Sequence, residues 1–337
     1  MGGLARKATL VDQVKAEGYN PIIVDAGNLF FKNSKATVGV TNDINKINAN
    51  IILESFNSIG CNAFSPGEND FSNGLSYILQ LDKKATFPFV SANIFNASNN
   101  LIFNPYAIVN RDNIKIAFIG LSSIFYDSEV VIVDPITSLS NIIDNVRSES
   151  DLVVLLFNAN EEDLIRLQSS NIDVDLVIRS KSKQRSNDGG KKRLPVYSCG
   201  DRGKYLYRLD FKLSQSGLGM TDITSQNNII ANAQKRLERM KKGNDDINLK
   251  EFYKDDEQML NRISGYEKQL ETALYKLNNA NNTIELTPYE LDKTVIDKPN
   301  ILKIVDKGKE KIALIKGPQM PDANDRLPGD PHHGHNH

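Results

Sequence analysis

The chain has 337 residues, 40% of them hydrophobic, with 41 Lys and Arg against 42 Asp and Glu for a net charge of -1. This length and apolar fraction are typical of a globular protein with one large domain and an appendage. The balanced charge excludes an overall positive field, so nucleic acid is not an expected partner. The sequence shows no apolar run long enough to span a membrane, and its first residues lack the layout of a signal peptide.

The first two-thirds of the sequence alternates two patterns. Over residues 3–211, helical periodicity alternates with short, fully apolar runs, which is typical of strands that helices cover on both faces. A strand is predicted at 21–25, followed by a helix from about Asp43 to Ile59 that Gly60 closes. This alternation predicts the α/β class.

Later strands continue the same pattern. They are predicted at 89–92, 114–119, 152–156, 174–178, 196–197 and 205–209. The apolar segment 106–109, followed by a turn at 111–113, predicts a hairpin with the strand that begins at Ile114. The sheets are therefore expected to be mixed and not purely parallel.

After about Ser214 the sequence becomes polar and helix-forming, and we expect no strands there. Apolar residues recur every three or four positions over 260–277, and a shorter apolar face lies in 230–240. The break at 242–246 between them predicts an antiparallel helical hairpin, with a solvated single helix and a disordered connector as the alternative.

These patterns predict three regions. The first is a domain over 1–214, and the second, 228–316, holds the helical hairpin and a helical extension. The third, 317–337, is a His-rich tail whose Pro, Gly and Asp content predicts disorder.

The two cysteines, Cys61 and Cys199, belong to no CxxC or CxxCH motif. This excludes a disulfide scaffold, a zinc knuckle and haem attachment within the chain. We expect each cysteine to be a small buried residue, and the sequence leaves open whether the two form a disulfide.

Five short motifs follow one another in the first part of the chain. They are Gly2-Gly3-Leu4-Ala5-Arg6-Lys7-Ala8, Asp25-Ala26-Gly27-Asn28, Pro66-Gly67-Glu68-Asn69-Asp70-Phe71, Phe87-Pro88-Phe89-Val90-Ser91-Ala92-Asn93 and Gly200-Asp201-Arg202-Gly203-Lys204-Tyr205-Leu206. Their order resembles the calcineurin-like metallophosphoesterases of the 5′-nucleotidase type. The resemblance implies a four-layer sandwich with mixed sheets, here followed by the helical hairpin.

The resemblance also implies a site for two metal ions that activate a water for attack on phosphorus. The family's first ligand pair, an Asp-x-His, stands on a strand before the Gly-Gly-Leu-Ala-Arg segment, and this sequence begins after it. The bridging carboxylate corresponds to Asn28, the ligating amide to Glu68 and the catalytic histidine to Asn69, with Asp70 next to them. A neutral amide cannot bridge two cations as an anion does.

The remaining histidine positions of the family are also changed here. Asn158 corresponds to one of them, and Lys181 and Lys183 correspond to the pair in the family's Gly-His-Ser-His motif. A protonated lysine has no lone pair and opposes metal binding. We therefore expect no catalytic residue and no metal cofactor in the domain.

Positive charge is concentrated near the changed motif. The cluster comprises Arg179, Lys181, Lys183, Arg185, Lys191, Lys192 and Arg193. One hypothesis is that Lys181 or Lys183 occupies the vacated metal cavity and pairs with Glu68. Binding of a phosphate-bearing ligand without metal, and a merely solvated face, are the alternatives.

All four histidines lie in the tail, and they are the weak metal candidates of the chain: His332, His333, His335 and His337. The sequence leaves open whether these histidines capture metal, supply an axial ligand to a neighbouring haem, or have no role.

The function predicted from these features is a non-catalytic metallophosphoesterase-fold scaffold whose C-terminal helices bind a protein partner. Some relatives with similar stretches at 286–292 and 296–299 continue into a multihaem cytochrome, which suggests such a partner and a periplasmic or extracellular location. The alternative is a metal-dependent phosphoesterase with an incomplete site, in which Glu68 and Asp70 act as ligands.

Overall fold

The computed structural model describes residues 3–190, 193–214 and 218–317. The helices are α1 (Gly3–Ala16), α2 (Gly39–Ile59), α3 (Leu75–Lys84), α4 (Pro135–Glu149), α5 (Glu161–Ser169), α6 (Thr224–Met240), α7 (Leu249–Phe252), α8 (Glu257–Asn278) and α9 (Pro299–Lys316). The strands are β1 (Val24–Asp25), β2 (Ala63–Phe64), β3 (Ile94–Asn96), β4 (Tyr106–Arg111), β5 (Ile114–Ser122), β6 (Val130–Ile132), β7 (Leu152–Asn158), β8 (Leu176–Ser180), β9 (Val196–Tyr197), β10 (Tyr205–Lys212), β11 (Met220–Asp222) and β12 (Asn282–Glu290). A 3₁₀ turn, Glu68–Phe71, lies between β2 and α3. Apart from Gly317, the predicted disordered tail lies outside the described residues.

The strands form mixed sheets, as the sequence predicts. The largest has the order β4-β5-β7-β8-β9, in which β4 is antiparallel to β5 and the other neighbours are parallel. The predicted hairpin joins β4 to β5 through Asp112 and Asn113, both with positive φ, as a two-residue type I′ turn requires. At the predicted strand 89–92, Phe89 and Val90 form isolated bridges instead of a longer ladder.

The interior strand β5 is buried on both faces, which explains its apolar sequence. On one face Ala117 and Ile119 pack in a core with residues of α4 and α5. On the other face Ile116 and Phe118 pack in a core with residues from the β1-β2 pair and from β12. A further core lies between α1, α2 and α9, and Leu206 of β10 packs against it. Burial of both faces is the arrangement that favours short, wholly apolar strands.

The expectation of no strand after Ser214 is wrong. β12 pairs antiparallel with the whole of β10, from Tyr205 opposite Glu290 to Lys212 opposite Thr283, and β11 pairs parallel with β12. The segment after Ser214 therefore extends the sheet that the preceding segment begins. The strand carries the alternation of buried Ile284 and Leu286 with less buried neighbours, but its composition is polar.

The predicted helical hairpin is present. α6 and α8 pack against each other, with Arg236 donating a 2.9 Å hydrogen bond to the hydroxyl of Tyr266. The break after α6 contains Lys242 and Gly243, both with positive φ. The helical extension is α9, which packs on α2 so closely that a Cβ at Gly308 would lie 2.1 Å from Ile51 Cδ1.

Candidate functional site

The predicted site residues come from the carboxyl ends of neighbouring strands. Asn28 follows β1, the 3₁₀ turn follows β2, and Asn158 ends β7 directly opposite Ser180 at the end of β8. Because the carboxyl ends of parallel strands meet at one edge, these side chains converge. The structure thus brings together Asn28, Glu68, Asn69, Asp70, Asn158 and Lys181.

Two asparagines and a loop backbone fill the centre of this site. Asn28, held at φ 58°, accepts a 2.9 Å hydrogen bond from the Asn69 backbone N–H. Asn158 is fully buried and donates to Ser180 Oγ at 2.8 Å. Between them, a Cβ at Gly67 would lie 2.5 Å from Asn158 Nδ2 and 2.6 Å from Asn28 Oδ1. Gly67 therefore packs against both amides and leaves no room there for a side chain of its own.

An ion pair spans this site. Lys181 Nζ lies 2.6 Å from Glu68 Oε2, and each side chain is about one-third exposed, at 32% and 29%. The hypothesis that a lysine of the basic loop pairs with Glu68 is confirmed for Lys181. Lys183 is exposed and forms no ion pair within the described ranges, so it does not join the residues that converge on Glu68.

Asp70 fixes the loops around the site. Its fully buried carboxylate accepts hydrogen bonds from the backbone N–H groups of Asn28, Gly67 and Phe30, at 2.7, 2.9 and 2.9 Å. Burial raises the pKa of Asp70 to about 7, against the lowering effect of these three donors. All three donors are main-chain groups, so Asp70 holds the loop conformation and does not face open space.

A second buried group lies behind the site. Burial raises the pKa of Asp25, while the nearby Lys7 ammonium and the Gly27 N–H lower it. Burial, together with the Asp25 charge, raises the pKa of Cys61 to about 12, and burial raises the pKa of Cys199 to about 11. Both cysteines are free, so the disulfide left open by the sequence is not formed. Their thiols stay protonated and unreactive at neutral pH.

Two of the other cations of the basic cluster, Arg179 and Arg185, have partners, whereas Lys183 and Arg193 form no ion pair among the described residues. Arg179 pairs with Glu161 at 2.9 Å, and the Arg185 guanidinium stacks over the Tyr205 ring at 3.7 Å. Lys191 and Lys192 lie outside the described residues. Cations that already have partners are poor candidates for a phosphate site.

Two functional positions escaped sequence reasoning. Ser180 accepts from Asn158 and donates to the Ala26 carbonyl at 2.5 Å, which links two strand ends. Its place beside Asn158 at the ends of adjacent parallel strands is a signal that could have identified it. Asp222 accepts from the Tyr197 hydroxyl at 2.5 Å and from the Gly189 N–H at 2.6 Å, tying the basic loop to the start of α6.

The described residues do not fit a centre for two metal ions. Asn28 and Asn158 are hydrogen-bonded to protein groups, and Glu68 is paired with the Lys181 ammonium group. Across residues 3–190, 193–214 and 218–317, no three His, Cys, Asp or Glu side chains are grouped to hold a metal ion. The side chains of the histidine tail lie outside this description.

Curated relatives match the sequence. No protein-family model matches the chain. Protein UshA of Yersinia enterocolitica is 25% identical over 332 residues, covering 84% of this chain and 58% of the relative. Protein UshA of Escherichia coli K12 is 34% identical over 126 residues, covering 36% of this chain and 22% of the relative. The chain thus spans at most about three-fifths of the length of these relatives.

Solved structures match the fold. The calcineurin-like phosphoesterase YfkN of Bacillus subtilis superimposes with a TM-score of 0.61 at 15% identity, covering 93% of this chain and 90% of that one. A 5′-nucleotidase precursor of Thermus thermophilus gives a TM-score of 0.52 at 19% identity, covering 62% of this chain and 45% of that one. The fold is that of the calcineurin-like phosphoesterases. By sequence, the chain is similar to UshA proteins and 5′-nucleotidases of bacteria.

Proposed function

We propose that this chain is a non-catalytic protein with a metallophosphoesterase fold, which acts as a scaffold or interaction protein through its C-terminal helices. The observation that carries the proposal is the 2.6 Å ion pair between Lys181 and Glu68 at the carboxyl ends of the strands. In this proposal Asn28, Glu68, Asn69, Asp70, Asn158 and Lys181 are the remnants of a metal site, and they now stabilise the loops around it.

Electrostatics supports the loss of metal binding. Two unit charges 4 Å apart interact by about 4 kcal/mol at an effective dielectric constant near 20, so the Lys181 ammonium cancels most of the attraction that the Glu68 carboxylate beside it would exert on a divalent cation. The neutral Asn28 and Asn158 supply no anionic charge to offset this repulsion. Glu68 is already paired.

Hydrolysis of p-nitrophenyl phosphate, with and without Mn²⁺, tests the proposal. We expect no Mn²⁺-dependent turnover by the full chain, and none by Lys181→Ala, because removing the ammonium does not restore anionic ligands. Turnover that requires Mn²⁺ and disappears in Glu68→Ala would refute the proposal.

The second candidate is a metal-dependent phosphoesterase with a non-standard or incomplete site. The carboxylate of Glu68, an acidic site group with solvent access, favours it. Such an enzyme needs Lys181 to release Glu68 and needs further ligands from elsewhere. Asp70 is a poor ligand candidate because both of its oxygens already accept backbone hydrogen bonds.

For the partner we propose a multihaem cytochrome in a periplasmic or extracellular compartment. The support is the sequence resemblance of 286–292 and 296–299 to relatives that continue into such a cytochrome. Among the described residues, none of the helices is long and apolar enough to cross a bilayer. A sedimentation experiment on the full chain mixed with a purified multihaem cytochrome tests this pairing, with haem absorbance as the readout. Separate sedimentation of the two proteins would contradict it.

A further inference from the structure

The hairpin of α6 and α8 buries little of its own surface. Of the 17 residues of α6, Thr224 and Ala233 are buried, and of the 22 residues of α8, Ile263 and Ala273 are buried. Ile229 on α6 keeps 41% of its surface exposed. A helix in a globular protein normally buries an apolar stripe more than 100° wide, whereas among the described residues α6 and α8 pack mainly on each other, with smaller contacts to β12 and α7.

A groove runs between the two helices on one side of the hairpin. It has a volume of about 370 Å³, with Ile229 on one wall and Ala273 at its base. Gly265 also lines it, and a Cβ at this glycine would meet no atom within 4 Å. Small residues at Gly265 and Ala273 allow the backbone or a side chain of another helix to approach closely.

Two lysines line the same groove. Lys268 and Lys276 are eight residues apart on α8, which places them about 12 Å apart along the helix axis at 1.5 Å per residue. Neither forms an ion pair within the part of the chain that the structure describes, whereas Lys250 and Lys241 of the same hairpin do. Both side chains are exposed, and the apolar stem of a lysine can line a groove while its ammonium group stays in water.

We propose that this groove binds an acidic amphipathic helix of a partner protein, which completes a three-helix bundle. Carboxylates two helical turns apart on that helix pair with Lys268 and Lys276, and a small apolar residue faces Gly265. The proposal rests on the proposed function of the C-terminal helices as a contact surface, and it adds the binding face and the chemistry of the partner.

A second copy of this chain is a poorer occupant. The acidic residues of α8 are Glu257, Glu267 and Glu271, which are spaced ten and four residues apart, and α6 carries one, Glu238. Neither helix therefore offers carboxylates two turns apart to the lysines of another copy. The charge pattern favours a different protein.

A labelled helical peptide provides the test. The probe is a synthetic helix of about three heptads with an Ala and Leu stripe flanked by Glu residues two turns apart, and its fluorescence anisotropy is measured against the full chain. The control peptide has Lys in place of each Glu. We expect saturable binding of the Glu peptide and at least about tenfold weaker binding of the Lys peptide.

Matched variants locate the binding face. Lys268→Glu/Lys276→Glu should lose at least about tenfold in affinity for the Glu peptide and gain affinity for the Lys peptide. Lys235→Glu/Arg239→Glu makes the same change in net charge on exposed positions of α6 outside the groove, and should bind as wild type. Gly265→Leu fills the groove without changing charge and should also weaken binding.

Three results would overturn the proposal. They are no saturable binding of the Glu peptide, equal binding by wild type and Lys268→Glu/Lys276→Glu, and a wild-type dimer in sedimentation that this double variant dissociates. These results are distinct from failure of the proposed function, which Mn²⁺-dependent phosphatase turnover would refute whether or not the peptide binds.

Discussion

Replacing Asp70 by alanine is the strongest perturbation that the structure offers at the site. The carboxylate accepts three backbone N–H groups, from Asn28, Gly67 and Phe30, and it is fully buried. Asp70→Ala leaves these donors without their acceptor. Each buried donor left unpaired costs about 1–3 kcal/mol, and together they give a loss of about 3–9 kcal/mol.

A second effect reduces this loss. Burial disfavours the ionised carboxylate, as its raised pKa of about 7 indicates, so removing the group recovers part of that cost. Water that enters the site would also satisfy some donors. We expect a net destabilisation of about 3–5 kcal/mol, a large part of the roughly 5–15 kcal/mol by which domains are stable.

Urea unfolding followed by far-UV circular dichroism measures this change, since the chain has no Trp for fluorescence. Asp43→Ala, at an exposed position of α2, is the matched control and should change stability by less than about 0.5 kcal/mol. A loss below about 1 kcal/mol for Asp70→Ala would refute the assignment of Asp70 as the residue that holds the loops.

Three further predictions concern stability. A double-mutant cycle of Lys181→Ala and Glu68→Ala should give a coupling energy of about 0.5–1 kcal/mol, since the pair is one-third exposed, and zero coupling would contradict the ion pair. Because the pKa of Asp70 rises from 3.8 to about 7 on folding, the native state binds more protons between these values. Between pH 4 and pH 7, the free energy of unfolding should therefore fall more in the wild type than in Asp70→Asn. Equal pH profiles of the two proteins would argue against the raised pKa. Gly308→Val should lower stability by about 1–3 kcal/mol by urea unfolding, because its side chain meets Ile51, and an unchanged midpoint would contradict the close packing of α9 on α2.

Local sequence signals predicted much of the fold. The apolar run that forms β5, the turn at Asp112 and Asn113, and the helix ended by Gly60, with φ 88°, all follow from short-range preferences. β12 was missed because its partner β10 lies about 70 residues earlier, and pairing across that separation leaves little local pattern.

Most members of the site were predictable from the sequence, but their contacts were not. The resemblance pointed to Lys181 and Lys183 equally, and the structure distinguishes them, since β8 ends just before Lys181 and directs its side chain to Glu68. The anchoring role of Asp70 also depends on three-dimensional placement. Two of its donors, Asn28 and Phe30, lie 42 and 40 residues before it in a different loop, and the third, Gly67, lies in its own loop.

Mn²⁺ binding tests the central claim most directly. Isothermal titration and elemental analysis should use a full-length variant in which the four tail histidines are replaced by alanine, because the tail could bind metal independently of the site. We expect no stoichiometric Mn²⁺ in this protein. One or two bound ions per chain, lost in Glu68→Ala, would contradict it.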